Sequence, residues 1–155
     1  MQDHDRERRE ARRRWRAGFT LIEIMVVVMI IGMLAAVVGV KVYERYGKAQ
    51  RKVAAAQIRS FMTALDSYYL DNSKYPTTEQ GLKALVQKPT SAPVPANYPA
   101  TGYVSEIPKD PWQNEYVYFS PGSNGDPYSI SSYGADGLQG GENENADVES
   151  WNLSK

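Results

Sequence analysis

The chain has 155 residues, enough for one compact domain of the usual ~100–200 residues plus a tail or anchor, and too few for a large multidomain enzyme. Its 18 Lys and Arg balance 18 Asp and Glu, and a net charge of zero speaks against nucleic acid as a bulk electrostatic partner. With no cysteine and a single histidine, His4, the sequence excludes disulfides, thiolate metal sites, cysteine nucleophiles and a histidine-based triad.

The neutral total is a sum of unlike parts. Residues 1–18 carry seven Arg against four acids, and 19–109 carry ten bases against six acids. Residues 110–154 carry eight acids and no base. All nine prolines lie at Pro76 or later, so the first half is free to run as one long helix, whereas the second must be loops and short elements.

From Phe19 to Val40 the chain is almost continuously apolar, interrupted only by Thr20 and Glu23. As a helix this run would be roughly 33 Å long, enough for a hydrocarbon core of ~30 Å. A buried helix of a soluble core is the alternative, but such helices are shorter and carry a polar stripe. The preceding arginines place the N-terminus in the cytoplasm and the rest of the chain across the membrane. The leader also reads as a nucleic-acid arm, a reading that its interspersed acids and the adjoining span oppose. Gly32 with Ala36, and Ala35 with Gly39, form small-xxx-small pairs that allow close helix contact.

A secretory signal peptide carries its small-residue cleavage site after the apolar stretch. Here Arg16-Ala17-Gly18 precedes Phe19-Thr20-Leu21-Ile22-Glu23, and the arrangement resembles the type IV prepilin signal. That resemblance implies cleavage after Gly18 by a dedicated prepilin peptidase, N-methylation of the new terminal Phe19, and an assembly role for Glu23. Physically, a carboxylate within a span costs on the order of 3 kcal/mol and is usually kept for function. Cleavage would create a positive amine at Phe19 within one helical turn, and the resemblance implies that Glu23 meets this amine on a neighbouring subunit, while the bland reading is a Glu23 solvated at the headgroup level.

Beyond the run, Val42, Tyr46, Ala49, Val53, Ala56, Phe61, Leu65 and Tyr68 mostly recur at helical spacings, opposite Arg45, Lys48, Arg51, Lys52 and Arg59. A helix from about Phe19 to Leu70 is expected, with a stop at Asp71-Asn72. Tyr75-Pro76 reads as extended chain, Thr77 or Thr78 as an N-cap, and Leu82, Leu85 and Val86 as the inner face of a short helix ended by Pro89. Residues 89–99 read as a surface loop. Tyr103 to Ile107, Tyr116 to Phe119 and Tyr128 to Ser132 read as strands, the last two separated by a dense turn signal at 120–127. The fold class expected is therefore α+β, a long helix on a small antiparallel sheet. Trp112, beside two prolines, reads as a core residue before a sugar platform.

The segments YPTTEQGL at 75–82, Tyr103 to Tyr118 and SYGADG at 132–137, added to the prepilin signal, resemble the major pseudopilins of type II secretion systems within the type IV pilin-like superfamily. The absent cysteines agree, since type IV pilins usually close a C-terminal disulfide loop. The resemblance implies a leader at 1–18, a transmembrane segment at 19–40 and a periplasmic head at 41–155. It further implies a non-enzymatic filament subunit whose partners are its own copies, minor pseudopilins, the prepilin peptidase, the inner-membrane assembly platform and the lipid bilayer. A type IV pilin or minor pseudopilin is the alternative within the superfamily, and a signal-anchored periplasmic enzyme the alternative outside it.

Residues 133–149 hold five acids and four glycines among amides and a tyrosine, and flexible oxygen donors of this kind suit Ca²⁺. Asp136 to Asp147 has the length of an EF-hand loop, but Leu138 and Gly140 occupy its third and fifth positions. A simple solvated acidic loop is the reading that composition favours. The resemblance favours one structural Ca²⁺, with ligands carried over as the side chains of Asp136 and Asp147 and the backbone oxygens of Tyr133 and Leu138. Glu142, Glu144 and Asn145 remain open as ligands.

Overall fold

The computed structural model describes residues 18–153, the side chains of 37–44 excepted. The chain divides into two compact units, Met1–Val42 and Tyr43–Lys155. Of the expected leader at 1–18, all but Gly18 lies outside the described residues.

One helix, α1, spans Leu21–Asn72, two residues later at each end than expected. In the first unit Thr20 caps it: the Glu23 N–H donates to Thr20 Oγ1 at 3.2 Å and the Ile24 N–H to the Thr20 carbonyl at 3.2 Å. This puts Glu23 in the first turn, where a carboxylate interacts favourably with the helix dipole. The apolar side chains that follow are exposed, Met29 at 72% and Met33 at 73% among them.

Among the described residues no helix is long and apolar enough to cross a membrane; of the expected span at 19–40, the side chains of 37–40 lie outside the described residues.

In the second unit α1 ends where the sequence places its stop. Ser73 takes a positive φ of 57°, and its N–H closes on the Tyr69 carbonyl at 2.6 Å, the left-handed cap that ends many helices. From Arg45 to this cap the buried positions are Gly47, Ala54, Ala55, Ile58, Phe61, Ala64, Leu65 and Tyr68. Of the expected stripe, the Val42 side chain lies outside the described residues, Tyr46 is 62% and Val53 50% exposed, Ala49 and Ala56 also face out, and Phe61, Leu65 and Tyr68 are buried. Apolar residues surround this part of the helix, and the expected stripe needed a step of five between Ala56 and Phe61. The observed face proceeds from Ala54 through Ile58, Phe61, Leu65 and Tyr68 in threes and fours, the period that a helix dictates.

The expected short helix is a single 3-10 turn, Leu82–Leu85. Neither Thr77 nor Thr78 caps it, for its N-cap is Gly81 with no side-chain cap hydrogen bond. Thr77 instead boxes the turn just before it: its Oγ1 accepts the Gln80 N–H at 3.2 Å, and Gln80 Oε1 accepts the Thr77 N–H at 3.1 Å, satisfying both donors. The Gln80 amide then donates to the carbonyls of Ser91 at 2.9 Å and Pro93 at 3.2 Å, fixing the loop at 89–99.

The sheet has three antiparallel strands in the order β1 (Val117–Phe119), β2 (Ser129–Ser132), β3 (Val148–Glu149). Tyr118 pairs with Ile130, and Ser132 with Val148. The segment at 103–107 is not a strand, because its amides are taken elsewhere: Tyr103 N–H at 2.7 Å and Val104 N–H at 3.2 Å both donate to the Leu85 carbonyl. The third strand is instead Val148–Glu149, which was not expected. Helix and sheet bury one core, rich in tyrosine, in which Phe61 and Tyr116 meet edge to face at 5.1 Å and Tyr68 and Tyr103 lie 5.3 Å apart. Trp112 packs against that core, as its sequence context suggested.

Candidate functional site: the loop between β2 and β3

The loop from Tyr133 to Asp147 joins β2 to β3, so the sheet fixes both of its ends. Its two limbs are drawn together near their base, where the Ala135 N–H donates to the Glu144 carbonyl at 3.0 Å. Gly134 makes this approach possible. A Cβ there would lie 2.7 Å from the Asn145 carbonyl carbon, and its φ of 63° is one that side chains rarely adopt. The expected ligands Tyr133, Asp136, Leu138 and Asp147 are distributed over the two limbs so joined.

Asp136 Oδ1 accepts the Leu138 N–H at 3.1 Å, a local Asx turn. Asp147 Oδ2 accepts the Gly140 N–H at 2.9 Å, so the end of the loop reaches back to its middle. The other oxygen, Asp147 Oδ1, is buried without a hydrogen-bond partner among the described residues. The carbonyls of Tyr133 and Leu138 accept no hydrogen bond among the described residues. Among the described residues no group of three or more His, Cys, Asp or Glu side chains could hold a metal ion, so carboxylates alone do not make a cation site of this loop. Glu144, left open by the sequence, lies with its side chain against the helix: a Cβ on Gly47 would come within 2.9 Å of Glu144 Cγ.

Three supports of the loop were not legible in the sequence. Arg51 was expected on the solvent side of the helix, yet it is part-buried and donates from Nη1 to the Ala146 carbonyl and from Nη2 to the Asp147 carbonyl, the latter at 3.2 Å. Asn114 Nδ2 donates to the Gly134 carbonyl at 2.9 Å. Asp110, 1% exposed, shapes the turn that carries Asn114, its Oδ1 accepting the N–H groups of Trp112 at 3.0 Å and Asn114 at 2.8 Å. The signals existed as residue types, a base and an amide, but their partners are remote in sequence.

At the other end of the chain, Gly18 and Phe19 precede the helix and Glu23 stands in its first turn, with no side-chain partner among the described residues.

Comparison with known proteins joins the two ends. Residues 41–151 match the family described as type II secretion system (T2SS), protein G, and residues 16–39 match the prokaryotic N-terminal methylation motif. Proteins named type II secretion system core protein G are similar throughout. The one from Pseudomonas aeruginosa is 50% identical over 90% of this chain and 97% of its own length. Those from Vibrio cholerae and Escherichia coli K12 are 49% and 47% identical, over 94% and 92% of their lengths. The crystal structure of the major pseudopilin of enterohaemorrhagic Escherichia coli superposes with a TM-score of 0.62 at 42% identity, covering 69% of this chain and 90% of that one. Helix and three-stranded sheet thus follow the pilin-like arrangement, and the chain belongs to the type II secretion system protein G family.

Proposed function

We propose that this chain is the major structural subunit of a type II secretion pseudopilus, polymerising in the periplasm to drive export of folded proteins across the outer membrane. The observation that carries the reading is the pairing of a methylation motif at 16–39 with a protein G head at 41–151 in one chain. The role is mechanical rather than catalytic. Cleavage after Gly18 frees the Phe19 amine, and residues 19–40 anchor the subunit in the inner membrane before assembly. The exposed apolar side chains from Phe19 to Leu34, continued in sequence by Val37, Val38, Gly39 and Val40, support that anchoring.

Glu23, unpartnered among the described residues and held in the first turn by the Thr20 cap, suits a partner supplied by a second subunit. Its carboxylate would receive the neighbour's Phe19 amine and so fix axial register. Mass spectrometry of the membrane-extracted protein, coupled with crosslinking of Glu23→Ala, tests the whole reading. The expected results are an N-methylated Phe19 terminus, and a variant that inserts normally but yields no multimers. An intact leader, or a normal multimer ladder from the variant, defeats the reading.

The loop's donors fit a structural Ca²⁺. They are all oxygens, one carboxylate oxygen is buried without a proton donor, and two carbonyls of the same loop are uncommitted, a set suited to a hard cation. Asp136 and Asp147 with the backbone of Tyr133 and Leu138 would hold it. The ion would neutralise an acidic loop and stabilise the head.

A further inference from the structure

We infer that Arg51 is the positioning residue of the cation loop, acting on the main chain that carries Asp147. The proposal rests on the Ca²⁺ reading above, and it concerns a residue of the helix that would not touch the ion. The Arg51 guanidinium donates to two successive carbonyls, Ala146 through Nη1 and Asp147 through Nη2 at 3.2 Å. A planar fork suits two fixed acceptors, whereas a lysine ammonium is a single point charge on a flexible stem.

The clamp has two consequences. It fixes the backbone from which the Asp147 carboxylate projects, leaving Oδ2 on the Gly140 N–H and Oδ1 buried and unpaired. It also engages the Ala146 and Asp147 carbonyls with a cationic donor, which makes them poor ligands and directs the cation toward the Asp147 side chain. Glu144, lying over Gly47 one helical turn before Arg51, ties the same limb to the same helix. The limb is therefore organised against the helix before any ion arrives.

The sign of the effect separates positioning from charge. A guanidinium near a divalent cation repels it, so if Arg51 acted only through its charge, its removal would tighten binding. A positioning residue predicts the reverse, because outer partners that orient ligands are typically worth 10–100-fold in affinity.

The test is calorimetric titration of CaCl2 into the full chain, solubilised in detergent and stripped with EDTA, with amide hydrogen exchange at 134–147 as a second readout. Wild type is expected to bind, Arg51→Ala to bind about 10-fold or more weakly with faster exchange in the loop, and Arg51→Lys to fall between them. Lys52→Ala removes an exposed base next to the clamp and is expected to bind as wild type or more tightly. Equal or tighter binding by Arg51→Ala overturns the proposal. Should Arg51→Ala fail to fold, Arg51→Lys carries the test, and affinity equal to wild type in that variant overturns it. A wild type without calcium binding overturns the Ca²⁺ reading itself, and positioning with it, so the two failures are distinct.

Discussion

Ser132 donates its hydroxyl to the carboxylate of Asp110 at 2.6 Å, and both side chains are almost wholly buried, at 0% and 1% exposure. The contact joins β2 to the Asp110–Asn114 turn, and through Asn114 it reaches the base of the loop at Gly134. Buried polar groups that lose their partners cost about 1–3 kcal/mol each. Asp110→Ala, which strands the Trp112 and Asn114 N–H groups and the Ser132 hydroxyl, is therefore expected to destabilise by ~3 kcal/mol or more. Asp110→Asn keeps one acceptor and turns an amide toward a hydroxyl that can accept, so it should cost only ~1 kcal/mol. Urea unfolding of the detergent-solubilised chain measures both. Equal losses would show that the negative charge, and not the hydrogen-bond geometry, is what the turn requires.

The tyrosine core makes the fold sensitive to alkali. Burial pushes the Tyr118 hydroxyl up to about 12 from the ordinary 10.0. Tyr116 and Tyr128 are raised as well, first by burial and then by the carboxylates of Asp110 and Asp66 respectively. A group whose folded pKa lies above its unfolded one contributes stability that is full below the unfolded value and lost as pH rises through the folded one. Stability should hold up to pH ~10 and then fall as pH approaches ~12. Tyr118→Phe gives up a 2.8 Å bond to the Pro76 carbonyl, an expected ~1 kcal/mol at neutral pH. It should also make the alkaline decline shallower. Urea midpoints across that range would reveal a slope unchanged by the substitution, which is the result that refutes this account.

Gly47 and Glu144 make a clean pair for a double-mutant cycle. A glycine within a helix costs ~1 kcal/mol relative to alanine, yet an added Cβ would press on Glu144 Cγ at 2.9 Å. Gly47→Ala should therefore gain little in the native background. In a Glu144→Ala background the same change should gain ~0.5–1 kcal/mol, and the difference is the contact between them. The same gain in both backgrounds would mean that Glu144 does not rest on Gly47.

The parts of the fold legible in sequence were those written in local chemistry. Asp71-Asn72 mark a stop completed by Ser73; the Thr20 cap, although formed within one turn, was not anticipated, the helix being expected from Phe19. Asp136 and Asp147, expected as ligands, each accept one backbone N–H within the loop. Long-range partners decided what was missed. Arg51 is one of several bases on its helix, and nothing nearby distinguishes it from the others; its acceptors lie at Ala146 and Asp147, far along the chain. Val148–Glu149 is too short to display a strand period and is recognisable only by its pairing with β2. The reverse error, a strand at 103–107, came from apolar residues whose amides dock on the Leu85 carbonyl and not on a ladder.

Calcium should stabilise the wild-type chain by mass action, about 2.7 kcal/mol at roughly a hundredfold excess over Kd. For a chain of this size that is a rise on the order of 10 °C in Tm. Asp147 is the sharpest probe, because its two oxygens have different tasks. In Asp147→Asn one oxygen can still accept the Gly140 N–H, whereas the buried position of Oδ1 receives an amide that cannot ligate a cation. The same change removes one negative charge from a crowded acidic loop. Without metal, the variant is therefore expected to melt at or above the wild-type temperature, and with CaCl2 it should show no further rise. Mg²⁺ should be a poor substitute, since it demands octahedral geometry and gives up its water reluctantly. Thermal midpoints of the detergent-solubilised chain in EDTA, CaCl2 and MgCl2 decide the matter. Identical wild-type midpoints in EDTA and CaCl2 would remove the ion from the folding of this head, and a calcium shift retained by Asp147→Asn would remove Asp147 from the ligand set.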